Sequence, residues 1–263
     1  MVVEKEIAGA CRMVYIACGD AERRRRSMST DRDPGLSDKR LTEYFLRQKA
    51  AKERAEGAPE QVQTVPPVVT LSRQFGAGGH TVAEALIKRL GKGWDLWDRH
   101  LIDAVAASAE VRSEMVSAID EKMHDWVTQT VRNILGAGGL DALAYKRHLV
   151  QVLLALAHQG RKVIVGRGSN FVLPQALNVR LEAALEFRVR ATMERLRMGH
   201  DEAMALVLRS DRERADFSHG VFDRDVEDRA AYDMVLQTDS LGYAATTEVI
   251  VAAVRAVFGE TVA

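Results

Sequence analysis

The chain has 263 residues, of which 47% are hydrophobic and 28% charged, and its 37 Lys and Arg balance 37 Asp and Glu. That length suits one large α/β domain with an appendage or two small domains, and a formal net charge of zero supplies no global basic field for nucleic acid. The two cysteines, Cys11 and Cys18, have no Cys/His quartet of zinc-site spacing beside them; no apolar run reaches a membrane span, and the N-terminus lacks a basic segment followed by a clean apolar core. The expectation is a cytoplasmic protein with reduced thiols, without membrane or nucleic-acid partners.

Residues 1–66 differ in texture from the rest. The stretch from Arg23 to Pro34 has no apolar period and reads as disordered. The run Arg23 to Arg26 sits among 13 basic and 11 acidic residues in this segment, so it reads as a solvated charge run. Residues 37–55 carry Leu41, Tyr44 and Phe45 on one side of an expected helix, and 61–67, with paired prolines, form a linker. The division expected is an extension over 1–66 and a main domain over 67–263.

The main domain opens on an apolar run over 68–71, a glycine loop, and a helix whose stripe is Val82, Leu86 and Leu90. Gly76, Gly78 and Gly79 let backbone N–H groups point inward, and the helix adds its own unpaired N–H groups and positive dipole end. The loop therefore reads as a phosphate cradle built from Gly76, Ala77, Gly78, Gly79, His80 and Thr81. Measured against G-x-x-x-x-G-K-[ST], it has Arg73 in place of the first glycine and Gly79 in place of the lysine.

A second strand over 94–97 ends in Asp98-Arg99-His100. Helical spacing follows over 101–109 and from Met115 through Trp126 to Ile134, broken at 136–139. Met123 and Trp126 suit core packing or a dimer surface, and His124 reads as a surface histidine. A helix over 141–158 becomes apolar all round in its second half, which implies burial. Strands are expected over 162–166, 178–183 and 233–236, and helices over 185–198, 201–211 and 246–258, the last stopped by Gly259. Short apolar strands alternating with helices imply an α/β fold with a doubly wound, mainly parallel five-stranded sheet. Ligands in such sheets bind outside the carboxyl ends of the strands. Here those ends carry Arg73 and the glycine loop, Asp98-Arg99, Arg167, and Thr238-Asp239.

The motifs Ser72-Arg-Gln-Phe-Gly-Ala-Gly-Gly-His, Trp97-Asp-Arg-His, Val163-Ile-Val-Gly-Arg-Gly-Ser-Asn, Leu185-Glu-Phe-Arg, Ser210-Asp-Arg-Glu-Arg and Gln237-Thr-Asp-Ser together resemble the cytidylate kinase-like family over 68 to about 258. The resemblance implies a P-loop nucleoside monophosphate kinase fold, with a helical acceptor-binding insert over 100–160 and a lid over 197–230. It implies transfer of the γ-phosphoryl of ATP, with Mg²⁺, to CMP or dCMP. It assigns Gly76, Ala77, Gly78, Gly79, His80 and Thr81 to the ATP phosphates, Arg99, Arg167 and Arg147 (or its neighbour Lys146) to the acceptor nucleotide, and Thr238 and Asp239 to the adenine side. Arg209, Arg212 and Arg214 match the lid arginines.

Three positions depart from that pattern: Gly79 for the loop lysine, Val165 for the acid before the Gly-Arg motif, and Gly168 for the acid after it. An arginine is able to neutralise phosphoryl charge as a bidentate donor, so Arg73 is the candidate replacement, with Arg209, Arg212 and Asp98 completing the catalytic set. Asp98 suits three roles, orienting Arg99, supporting Mg²⁺ through water or acting as base, beside a plain helix N-cap. Thr81 is a second Mg²⁺ candidate. The competing expectation is a non-catalytic nucleotide-binding regulatory module with a degenerate loop. A third treats residues 1–66 as an arm that docks a partner or forms a homodimer.

Overall fold

The computed structural model describes residues 66–117 and 140–259. Expectations that fall on 1–65 and 118–139, among them the helix over 37–55 and the Met123 and Trp126 face, lie outside the described residues. Everything described belongs to one compact unit, Val65–Ala263.

Five strands form one sheet in the order β2-β3-β1-β4-β5. They are β1 (Val68–Arg73), β2 (Asp95–Trp97), β3 (Lys162–Val165), β4 (Leu177–Glu182) and β5 (Met234–Gln237). Every pairing is parallel, with Val69 opposite both Val163 and Leu177. The chain leaves central β1 toward the β2 edge and leaves β4 toward the β5 edge, which opens a crevice at the carboxyl ends of the strands.

The two faces of the sheet differ in chemistry. On one, Val69, Leu71, Val163, Val165, Val179 and Leu181 join Val82, Ala83 and Leu86 of α1 (Gly79–Leu90) and Ile250, Val251 and Val254 of α8 (Thr238–Phe258) in a single apolar cluster. α2 (Arg99–Ala107), α3 (Ala109–Ser117) and α4 (Leu140–Gln159) pack together, and α4 also meets β3. The second half of α4 is buried nearly throughout, from Leu149 to Ala157, as its all-round apolar character implies. Toward β4 the second face is polar: the Thr70 hydroxyl donates to Asn178 at 2.6 Å, and buried Arg180 pairs with Glu182 at 2.8 Å and Glu227 at 2.5 Å. Thr70, Asn178 and Arg180 remain buried at little cost because each has a partner.

A four-residue turn of helix, α5 (Ser169–Val172), follows β3 and is absent from the sequence expectations, being shorter than any periodicity window. α6 (Leu185–Leu196) matches its expected helix closely. α7 spans His200–Phe222, eleven residues beyond the expected end at 211. Its inward side continues through polar positions, Asp211, Arg214 and Ser218, which a purely apolar criterion reads as solvated. The closing helix begins at Thr238 rather than 246, with Gly242 at φ 73° marking a kink inside it. By length and mean composition this helix is apolar enough to cross a membrane, although Asp239, Glu248 and Arg255 interrupt it and leave no continuous apolar run of that length. In the fold its inward side, with Thr246, Thr247, Ile250, Val251 and Val254 buried, packs on α1 and β4.

Candidate functional site

The loop between β1 and α1 is shaped by glycines with positive φ, Gly76 at 83° and Gly78 at 77°. A Cβ on Gly76 would lie 2.6 Å from the Arg188 carbonyl oxygen, and one on Gly78 would enter the ring of Tyr243. Gln74 braces the base of the loop: its N–H donates to Leu181 O at 3.0 Å, and its side-chain oxygen accepts from Ala183 N at 3.1 Å. Thr238 is fully buried, with its hydroxyl 3.0 Å from the Ala77 carbonyl and 3.2 Å from the Glu182 carbonyl. Asp239 accepts from Ala184 N at 3.0 Å and so sits at the start of α6. The first turn of α1 has no side-chain cap and no acidic residue. Its opening N–H groups face the crevice as an uncapped positive helix end. His80 is exposed and lies 3.0 Å from Glu84, and Thr81 is exposed on the same turn.

Arg73 is the last residue of β1, and its side chain runs across the loop. A Cβ on Gly79 would stand 2.8 Å from Arg73 Cγ, and one on Gly166, at the end of β3, would collide with Arg73 Nη1. The arginine stem thus fills the space that a side chain at position 79 would need, and its head reaches the neighbouring strand end. Burial, followed by the positive fields of Arg214, Arg99 and Arg167, pushes its guanidinium down to about 9, with Asp98 acting in the opposite direction. Among the described residues no ion pair is found to Arg73 or Arg99. Arg167 and Arg214 have carboxylate partners in Asp103 and Asp211, so the cationic excess that suits the site to an anion rests on Arg73 and Arg99.

Around Arg73 the other strand ends supply the rest. Asp98 is buried and caps α2, accepting from His100 N at 3.0 Å and Leu101 N at 3.1 Å. Arg99 is exposed at the first turn of that helix. Arg167 pairs with Asp103, which also accepts from the Tyr145 hydroxyl at 3.1 Å, and its guanidinium stacks on Phe217 at 4.7 Å. Burial raises the Tyr145 phenol well above the ordinary tyrosine range and keeps it a donor. Gly168, at φ 63°, lies against Phe222: a Cβ there would enter the ring. The position that departs from the family's acid is therefore filled by an aromatic wall from α7.

From α7 the residue that reaches the cluster is Arg214. Arg209 and Arg212 are exposed, and Arg209 has Glu213 at 4.0 Å. The reason is helical geometry: Val207, Asp211, Arg214 and Ser218 share one side of α7, and 209 and 212 fall off it. Arg147 is also exposed; burial, followed by the positive fields of Arg112 and Arg147, holds the His148 imidazole below its ordinary value, and the α4 residue that touches the Arg167 pair is Tyr145. Asp103, Tyr145, Arg188 and Asp211 were absent from the expected site. Arg188 and Asp211 did lie inside motifs that carry the family resemblance, which was the available signal. Among the described residues no group of three or more His, Cys, Asp or Glu is arranged as a metal cluster.

A five-stranded, all-parallel α/β sheet with a glycine loop at the end of its central strand defines a kinase-like P-loop fold. The chain belongs to the cytidylate kinase-like family, whose model matches residues 68–240. Among solved structures it is similar to an uncharacterized protein from Eubacterium ventriosum, at 18% identity over 73% of this chain and 99% of that one, with a TM-score of 0.56. It is also similar to a shikimate kinase from Bacteroides thetaiotaomicron, at 18% identity over 72% of this chain and 96% of that one, with a TM-score of 0.39. No curated protein matches its sequence.

Proposed function

We propose that this protein is an ATP-dependent phosphotransferase whose acceptor is a nucleoside monophosphate, CMP or dCMP first. The observation that carries the proposal is the course of Arg73 between Gly79 and Gly166, which delivers a half-buried guanidinium to the loop that lacks its lysine. The loop fits a polyphosphate, because glycine-held backbone and an uncapped helix end face an arginine cluster. In this proposal the N–H groups of 76–81 hold the ATP phosphates, and Arg73 and Arg214 neutralise charge on the transferring oxygens. Arg99 and Arg167 hold the acceptor phosphate, with Thr81 or Asp98 on the Mg²⁺ side. Bound Mg²⁺ supplies Lewis-acid stabilisation of the phosphoryl oxygens. Arg209 and Arg212 join the site only if α7 turns on closure, and Arg147 only if α4 shifts; Thr238 and Asp239 hold the adenine side chiefly by fixing the loop and the start of α6.

Coupled assays with Mg·ATP over CMP, dCMP, UMP and AMP test this. Turnover with at least one acceptor, reduced about a hundredfold or more in Arg73→Gln, is the expected result; no turnover with any of them defeats the proposal. A second reading, a nucleotide-binding regulatory module, draws on Val165 and Gly168 standing where acids are expected. Calorimetry that finds tight Mg·ATP binding without transfer supports it. The extension over 1–66 is proposed as a docking arm, tested by the oligomeric state of a chain shortened to begin at residue 66.

A further inference from the structure

Asp211 lies on the lid helix, yet its carboxylate is joined to the phosphate loop. One oxygen accepts from the Phe75 backbone N–H at 2.7 Å and from Arg214 Nη1 at 3.1 Å; the other accepts from Arg188 Nη1 at 2.5 Å. The same Arg188 nitrogen lies 3.2 Å from the Phe75 carbonyl, and Arg188 Nε donates to Ala183 O at 3.0 Å. Both backbone polar groups of Phe75 are thus held from outside the loop. Its ring lies under two cations, Arg195 at 5.2 Å and Arg214 at 5.3 Å. Gly76, the next residue, packs directly on the Arg188 backbone. A backbone N–H bonded to a charged carboxylate is one of the stronger hydrogen bonds available to a loop.

We propose that Asp211 is a positioning residue: a clasp that fixes the phosphate loop at Phe75 and, through the same carboxylate, aims Arg214 at the Arg73 cluster. The proposal rests on the phosphotransferase reading for its catalytic consequence. Arg214 stands within the fields of Arg73 and Arg99, both repulsive, so a carboxylate is needed to hold it there. Because one carboxylate serves both, loop order and the delivery of the lid cation are coupled rather than independent. α7 is consequently no free flap: its middle is bonded to the loop before any ligand arrives.

The test is amide hydrogen exchange followed by NMR on the full chain, comparing wild type with Asp211→Asn. The clasp predicts that exchange at the Phe75 amide speeds up about tenfold or more while the amides of Val69 and Leu71 in β1 keep their protection. Asp211→Asn leaves the buried Arg188 charge without its partner, so Arg188→Gln with Asp211→Asn removes both charges together and serves if the single variant does not fold. Mg·ATP titration of the same proteins should show affinity weakened about tenfold, with partial recovery in Asp211→Glu. Unchanged Phe75 protection, or equal loss at Phe75 and in β1, overturns the clasp. Unchanged Mg·ATP affinity in Asp211→Asn overturns its role in positioning. Absence of Mg·ATP binding by the wild type defeats the phosphotransferase reading instead, and the exchange result still decides the clasp.

Discussion

At the residue scale the protein turns on an exchange between Arg73 and Gly79. A lysine at 79 would project from the helix start into space that the Arg73 stem occupies, since even a Cβ there stands 2.8 Å from Arg73 Cγ. Restoring the familiar loop residue alone should therefore do harm: Gly79→Lys is expected to weaken Mg·ATP binding about tenfold or more through overpacking. Arg73→Gly combined with Gly79→Lys removes the clash and returns the cation to the helix, so calorimetry should show the double variant binding better than Gly79→Lys alone. A pH dependence belongs to the same residue. Its folded pKa, about 9, lies below the arginine value of 12.5, so the unfolded chain holds the proton more tightly between those limits and stability rises with pH across that window. An anion bound at Arg73 reverses the preference by favouring the charged form. Tripolyphosphate should then raise the melting temperature most below pH 9 and progressively less above it, and that fall-off should disappear in Arg73→Gln.

At the element scale the turn after β3 is held as firmly by shape as the loop after β1. Gly168 combines a left-handed φ of 63° with direct contact on Phe222 at the end of α7. Gly168→Ala should cost about 2–4 kcal/mol in denaturant unfolding, from positive-φ strain and overpacking together. Phe222→Ala in that background should return the steric part while leaving the backbone part, a coupling that a double-mutant cycle reads directly. Elements governed by local pattern were legible in the sequence: each strand falls within two residues of its expected span because the short apolar runs are bounded by glycine or charged turns. Extents set by tertiary contact were not. α7 runs to Phe222 because Asp211 bonds the loop at the Phe75 N–H and Arg214 stacks over the Phe75 ring, and a helix side completed by such polar contacts has no apolar period to read. The same limit explains the site. Arg73, Asp98, Arg99 and Arg167 were marked by their places at strand ends, whereas Arg214 stands out from Arg209 and Arg212 only once the turn of α7 is known.

At the scale of the whole molecule, the closing helix carries two incompatible readings by composition alone: a membrane-length apolar segment or a wall of the core. Packing separates them. Ile250 and Val254 are fully buried and share one apolar cluster with Leu71, Val179 and Leu181 of the central strands and Leu86 of α1. The outward side, with Leu241, Val249 and Val257 exposed, also carries Glu248, whose carboxylate grips Arg89 of α1 in a two-pronged pair at 2.5 and 2.7 Å. A charged group midway along a membrane-spanning helix is costly, whereas a helix closing an α/β sheet gains a second attachment to its neighbour, worth little at such exposure but directional. A core role means that α8 unfolds with the sheet. Ile250→Ala should lower stability by about 2–5 kcal/mol, the cost of a large buried side chain removed from a closed core. The loss should appear as a single cooperative shift of the melting transition, recorded both by circular dichroism and by the fluorescence of buried Trp94 and Trp97. If α8 were instead an independently folded anchor, the tryptophan transition would stay where it is in the wild type, and α8 would have no part in holding the β1 loop in place.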